Sequence, residues 1–168
     1  TLLVEKDLEF DFTDANHAFQ FDSNELHGTS SKAQRVDFIA EYDDCYRFIE
    51  VKDPDCPGSS NPLAFIEKFQ NQKLVNSLAG KFRDTLFFRH LTSGHNQNKR
   101  IDYIVLLSCS ALEPAMLMAK QELLYREIPL ENPAWFSNPA ANCVLLNLEQ
   151  YKLTFGETSV RRISEGAE

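Results

Sequence analysis

Two strand-like segments joined by an acidic turn, within residues 35–53, most constrain how this chain of 168 residues folds. Residues 36–42 and 46–51 are rich in β-branched and aromatic side chains, which favour β-strands. Asp43 and Asp44 between them suit a tight turn, because a short acceptor side chain can bond to the local backbone. The pattern therefore predicts a β-hairpin whose register is set by the turn.

That register gathers three charged side chains on one face of the hairpin. A turn centred between the two aspartates places Ile39 opposite Phe48 and Asp37 opposite Glu50. Directly opposed side chains share a face, with Cβ atoms about 4.5–5.5 Å apart, and strand alternation adds Lys52 to it. Two opposed carboxylates repel each other unless a cation lies between them, and a divalent cation with oxygen ligands suits that position. The alternative is an ordinary surface ion pair in which Lys52 bridges both carboxylates.

Asp37, followed after twelve residues by Glu50-Val51-Lys52, resembles the PD-(D/E)XK nuclease-like (restriction endonuclease-like) superfamily. The resemblance implies that Asp37, Glu50 and the carbonyl of Val51 hold Mg²⁺ or Mn²⁺. It implies that Lys52 assists the attack of water on a phosphodiester, so that Asp37, Glu50 and Lys52 form the catalytic set. It also implies that the partner is nucleic acid, with DNA favoured over RNA.

The sequence departs from the superfamily pattern at two places. Val36 precedes the first acid where proline is common, and the extra acid that the superfamily carries on an upstream helix has no clear counterpart. Glu25 is the nearest candidate for that acid, because residues 1–22 alternate like strands rather than like a helix. We therefore expect residues 1–34 to form an N-terminal β extension, which either extends the central sheet or covers the site as a flap.

The remaining periodicities predict one α/β domain over residues 1–168, with a core at 35–150 and a partly disordered tail at 157–168. Asn61-Pro62 suits a helix start, and a helical pattern over 62–92 is long enough that we expect a break near Asn71 or Gly80. The predicted order after residue 35 is β-β-α-β-α-β, with later elements at 101–108, 114–126 and 143–148. This order indicates a mixed central β-sheet flanked by helices, and it is the order that the resemblance implies for a restriction endonuclease-like core.

The charge is unevenly distributed along the chain. The net charge is −8, which argues against strong nonspecific binding of nucleic acid. Residues 1–60 carry a net −9, whereas residues 61–110 carry a net +4. The basic middle section therefore holds the candidate phosphate contacts, although a solvated surface is the simpler interpretation of each one alone: Lys81, Arg83, Arg89, Lys99 and Arg100.

The spacing of cysteines and histidines and the hydrophobic pattern indicate which metal sites and which cellular compartment fit this chain. The four cysteines include no CxxC pair and the four histidines form no HExxH motif, so a zinc site is disfavoured. No apolar run approaches the length of a membrane span, and the first residues lack the features of a signal peptide. We expect a reducing, cytoplasmic protein that does not enter a membrane, and a homodimer or a partner protein stays open.

Two functions from different classes fit these observations. The first is a divalent-metal-dependent endo- or exonuclease. The second is a catalytically inactive nuclease-like fold that acts as a nucleic-acid- or protein-binding assembly module, which the negative charge and the unplaced upstream acid favour. A small-molecule enzyme is disfavoured, because the six glycines form no phosphate-binding loop and there is no nucleophile elbow. If the two carboxylates repel, Glu50→Gln should stabilise the metal-free protein.

Overall fold

The computed structural model describes residues 1–59, 61–92, 94–136 and 138–166. Within these ranges the chain forms a five-stranded mixed sheet, a three-stranded antiparallel sheet and helices, so the predicted mixed α/β class is confirmed. In chain order the strands are β1 (Leu2–Glu5), β2 (Leu8–Asp11), β3 (His17–Gln20), β4 (Phe38–Glu41), β5 (Cys45–Lys52), β6 (Arg100–Leu107), β7 (Asn142–Leu146) and β8 (Val160–Arg162).

The helices follow the predicted order and add two elements. They are α1 (Asn24–His27), α2 (Pro62–Gln70), α3 (Gln72–Leu91), α4 (Pro114–Glu127) and α5 (Leu148–Phe155). The expected break falls at Asn71, whose side chain accepts a hydrogen bond from the backbone of Lys73 and so begins α3 as its N-cap. Helices α1 and α5 were not predicted from the sequence.

The five-stranded sheet has the order β3-β4-β5-β6-β7. Strand β4 is antiparallel to both of its neighbours, β3 and β5. Strands β5, β6 and β7 are parallel to one another, because helices connect them. The parallel strands therefore end at one edge of the sheet, where Lys52, Leu107 and Leu146 lie. Ligands of open α/β sheets bind at this edge.

The N-terminal section divides between the two sheets. Strand β3 pairs with β4 and so extends the central sheet. This is one of the two arrangements expected for residues 1–34; the other was a flap over the site. Strands β1 and β2 instead form the small sheet with β8 from the other end of the chain. Within the segment 157–168, which was expected to be partly disordered, Val160–Arg162 form β8. Arg162 in this strand bonds to Asp53 and Asp7. Residues 167 and 168 lie outside the described residues.

The central sheet is buried on both faces, and the alternation of β5 decides which side chains meet which layer. Tyr46 and Phe48 pack into the core beneath α3 and α4. Ile49 and Val51 pack into a second core with the small sheet and α5. Since side chains alternate along a strand, Glu50 and Lys52 point to the α3 side.

Helix α3 is anchored against the segment that leads into β4. The Thr85 hydroxyl accepts a hydrogen bond from the Val36 backbone N–H, and the Asp84 carboxylate accepts one from that of Gln34. Gly80 lets the Gln34 side chain lie close to the helix, because a Cβ at this position would lie 2.8 Å from the Gln34 Oε1. These contacts fix the turn of α3 that faces the end of the hairpin.

None of the described helices is long and apolar enough to cross a membrane. Cys109 and Cys143 are buried free thiols, and Cys45 and Cys56 are also unpaired.

Candidate functional site

The hairpin has the register that its turn predicts. Ile39 lies opposite Phe48 and Phe38 opposite Ile49, so the next pair in the same register is Asp37 with Glu50. Lys52 is the last residue of β5 and follows Glu50 on the same face. The predicted convergence of Asp37, Glu50 and Lys52 at one end of the hairpin is confirmed, at the edge where the parallel strands end.

Asp37 lies one residue before β4 and is buried, with 7% of its surface exposed. Its Oδ2 accepts a hydrogen bond of 2.7 Å from the backbone N–H of Val51, so β5 holds the carboxyl group in place. Burial, and then the nearby charge of Glu50, raises the pKa of Asp37 to about 7. A carboxyl group with such a pKa is partly ionised near neutral pH, so a cation that binds it displaces the remaining proton into water.

Glu50 is fully buried and contacts two ammonium groups. Its Oε1 lies 2.7 Å from Nζ of Lys52 and 2.6 Å from Nζ of Lys81. These are ion-pair contacts whose angles fall outside hydrogen-bond geometry, and Oε2 has no hydrogen-bond partner among the described residues. A buried carboxylate oxygen without a partner is costly, so this oxygen is available to a ligand. The alternative predicted from the sequence, in which Lys52 bridges both carboxylates, does not form. Among the described residues, Lys52 makes an ion pair with Glu50 and none with Asp37.

Lys81 reaches the site from α3, although it was predicted only as a phosphate contact. Its side chain is 17% exposed. Burial by itself lowers the pKa of Lys81, but the charges of Glu50 and Asp37 outweigh this effect and the pKa is raised overall. The ammonium group therefore stays protonated and neutralises Glu50.

Glu5 is a further acid of the site that the sequence reasoning missed. It ends β1 and is partly buried, and burial raises its pKa, with the charge of Glu50 adding to the increase. Glu5 in turn raises the pKa of Asp37, which places the three carboxyl groups within electrostatic reach of one another. The predicted candidate, Glu25, lies instead in the first turn of α1 and is exposed.

A two-residue turn places Glu5. Lys6 and Asp7 connect β1 to β2, and Lys6 has a φ of 54°, a left-handed conformation that is uncommon for a side chain of this kind. Asp7 holds the turn, because its carboxylate accepts hydrogen bonds from the backbone and hydroxyl of Ser164 and from Arg162. No local signal in the sequence connects this turn to the hairpin of Glu50, since the contact depends on how the two sheets pack.

The other four predicted phosphate contacts do not lie with the carboxylates. Because β5 and β6 are parallel, Arg100 pairs with Cys45 at the start of β5, the opposite end from Lys52. Lys99 and Arg100 therefore lie at the opposite end of the sheet from the carboxylates. Their side chains, and those of Arg83 and Arg89, contact the protein itself: Lys99 binds Glu41, Arg100 binds Asp44 and Asp102, Arg83 donates to the Glu127 carbonyl, and Arg89 donates to the Gly94 carbonyl.

The donor set fits a hard divalent cation. Asp37 and Glu50 offer carboxylate oxygens, which Mg²⁺ and Mn²⁺ prefer, and Mg²⁺ commonly uses one or two protein carboxylates while it keeps several waters. Among the described residues no group of three or more His, Cys, Asp and Glu side chains is arranged to hold a metal ion. Two carboxylates from the chain would leave the other coordination positions of such a cation to water or substrate oxygens.

A cleft of about 700 Å³ lies at the same edge of the sheet, beyond the ends of β6 and β7. Its lining includes the acids Asp55, Glu149 and Glu165, and the guanidinium of Arg162 there is already bonded to Asp53 and Asp7. This cleft has no free cation among its described lining residues to meet a phosphate. The carboxylates of the hairpin remain the better candidate for chemistry.

Comparisons with known proteins found no relative of this chain. No protein-family model matches the chain, and neither the curated proteins nor the solved structures contain a significant match.

Proposed function

We propose that this chain is a divalent-metal-dependent nuclease that hydrolyses phosphodiester bonds of nucleic acid, with DNA as the favoured substrate. The observation that carries the proposal is the position of Asp37 and a fully buried Glu50 one residue beyond the Phe38–Ile49 pair of the hairpin. The Oε2 of Glu50 has no hydrogen-bond partner among the described residues. Acids in this arrangement, with Lys52 beside them at the edge where parallel strands end, are what the PD-(D/E)XK resemblance implies.

The residues of the chain take distinct roles in this proposal. Asp37 and Glu50, together with the carbonyl of Val51, hold Mg²⁺ or Mn²⁺, which when bound neutralises phosphate charge and makes a bound water more acidic. Lys52 has 27% of its side chain exposed, so its ammonium group can reach a phosphate or orient a water while it stays against Glu50. The backbone N–H of Val51 keeps Asp37 oriented whether or not a cation is present.

A second candidate is a catalytically inactive nuclease-like fold that binds nucleic acid or protein. It is favoured by the two lysines, which already neutralise Glu50 without a metal ion. It is also favoured by the contacts of the five predicted phosphate-binding residues, each of which engages another group of the protein. In this alternative the charged cluster is a structural ion-pair network.

The discriminating experiment is cleavage of labelled single- and double-stranded DNA and RNA, with Mg²⁺, with Mn²⁺ and with EDTA. The nuclease proposal predicts cleavage that needs the metal and that is lost in Asp37→Asn and in Lys52→Met. The matched control is Asp14→Asn, an exposed position with the same charge change, which should cleave like the wild type. Binding of nucleic acid without cleavage of any substrate in either metal would instead support the inactive module.

A further inference from the structure

Lys81 differs from the other cations of the basic middle section, because it lies against a buried carboxylate rather than at the surface. Its Nζ is 2.6 Å from Glu50 Oε1, closer than Lys52 Nζ at 2.7 Å. The turn of α3 that carries it is anchored to the start of β4 through Thr85 and Asp84. The ammonium group is therefore positioned by the fold.

We infer that Lys81 is a resident counter-cation, which occupies Glu50 in place of a divalent metal ion and which an incoming metal ion must displace. The inference rests on the proposed metal site. It assigns Lys81 a positioning role, separate from the contact with substrate phosphate that the sequence predicted for it.

Charge balance at the site supports this assignment. Two ammonium groups contact one carboxylate, and both contacts fall on Oε1, which leaves Oε2 without a partner. A divalent ion that binds Glu50 would add two positive charges beside two existing ones, and like charges in a buried site repel strongly. Lys52 is more exposed than Lys81 and can turn toward solvent or substrate, so the less exposed Lys81 is the competitor that remains.

Lys81 and a divalent metal ion compete for Glu50, and this competition lowers the affinity of the site for the metal. Without metal, Lys81 stands against Glu50 as its counter-ion, and a buried carboxylate without a counter-ion would be strongly destabilised. With metal, the energy needed to displace Lys81 lowers the apparent affinity. The cation on α3 therefore sets the metal concentration at which the site fills.

The test is the affinity for Mn²⁺, measured by calorimetry at one pH in the absence of nucleic acid. Lys81→Met removes the charge and keeps most of the aliphatic stem, and it should bind Mn²⁺ about tenfold more tightly, because the competing cation is gone. Lys81→Arg keeps the charge and should bind like the wild type. Lys73→Met, at an exposed position of the same helix, has the same change in net charge and should also bind like the wild type.

The outcomes separate this inference from the proposed function. If the wild type binds Mn²⁺ and Lys81→Met binds it equally or more weakly, Lys81 is not a competitor and the inference is overturned. If Lys81→Met binds Mn²⁺ and the wild type does not, the inference holds and the metal-dependent function of the wild type fails. If neither protein binds, both fail. Should Lys81→Met not fold, Lys81→Gln provides the same comparison.

Discussion

The raised pKa of Asp37 makes the stability of the metal-free protein depend on pH in a definite direction. Burial and the charge of Glu50 raise this pKa from 3.8 to about 7. The folded protein therefore holds a proton that the unfolded chain releases above pH 4. The free energy of unfolding should fall as the pH rises from about 4 to about 7 and then stay level.

The size of the effect follows from the shift. A shift of about three pKa units, at about 1.4 kcal/mol each, corresponds to a loss of about 4 kcal/mol between these pH values. Asp37→Asn removes the titrating group, and its amide oxygen can still accept the hydrogen bond from Val51. The variant should match the wild type near pH 4 and exceed its stability by up to about 4 kcal/mol at pH 8.

The assay is urea unfolding in EDTA at several pH values between 4 and 8, with Asp14→Asn as the control for the loss of one acidic residue. The control should follow the wild type, because Asp14 is exposed. If Asp37→Asn loses as much stability as the wild type over this range, the carboxyl group is not held protonated by the site. The electrostatic account of the hairpin would then be refuted.

Three further predictions follow from the ion pairs. Glu50→Gln should destabilise the metal-free protein by about 3 kcal/mol in urea unfolding, because two ammonium groups would lose their carboxylate; stabilisation would restore the repulsion argument made from the sequence. Arg162→Ala should lower the free energy of unfolding by about 3–5 kcal/mol, because Asp53, with no exposed side-chain surface, would lose its cation; a change below 1 kcal/mol would mean that β8 is not held by this network. If nucleic acid binds at the carboxylates, Lys99→Ala/Arg100→Ala should leave the dependence of its affinity on salt unchanged, and a flatter slope would place the binding surface at the other end of the sheet.

The sequence predicts the positions of Asp37, Glu50 and Lys52, because the Asp43-Asp44 turn determines how they lie relative to one another. The symmetry of the Asp43-Asp44 turn fixes the register, and the register puts Asp37 opposite Glu50 on the face that Lys52 shares. Each of these steps depends on residues close together in the chain. The sign expected for Glu50→Gln changed because Glu50 contacts a second cation, Lys81, in addition to Lys52. Lys81 comes from α3, and the packing of that helix on the sheet cannot be read from periodicity.

The positions of Lys99 and Arg100 and the position of Glu5 differ in how far the sequence predicts them. A strand that follows a helical crossover runs parallel to the previous strand, so the start of β6 lies far from the end of β5. The parallel order therefore already predicts that Lys99 and Arg100 lie at the opposite end of the sheet from Lys52. Glu5 was not predictable in this way, because its electrostatic coupling to the carboxylates depends on the position of the small sheet, in which β1 pairs with β2 and β2 with β8.

The most direct test of the central claim is the position of Mn²⁺ in crystals soaked with the metal, located by its anomalous scattering. The account predicts one strong peak between the carboxyl groups of Asp37 and Glu50, within about 2.0–2.6 Å of an oxygen of each. It also predicts that the Lys81 ammonium has moved away from Glu50. A fully soaked crystal with no peak at these carboxylates, and with Lys52 and Lys81 still on Glu50, would contradict the metal site and the function proposed from it.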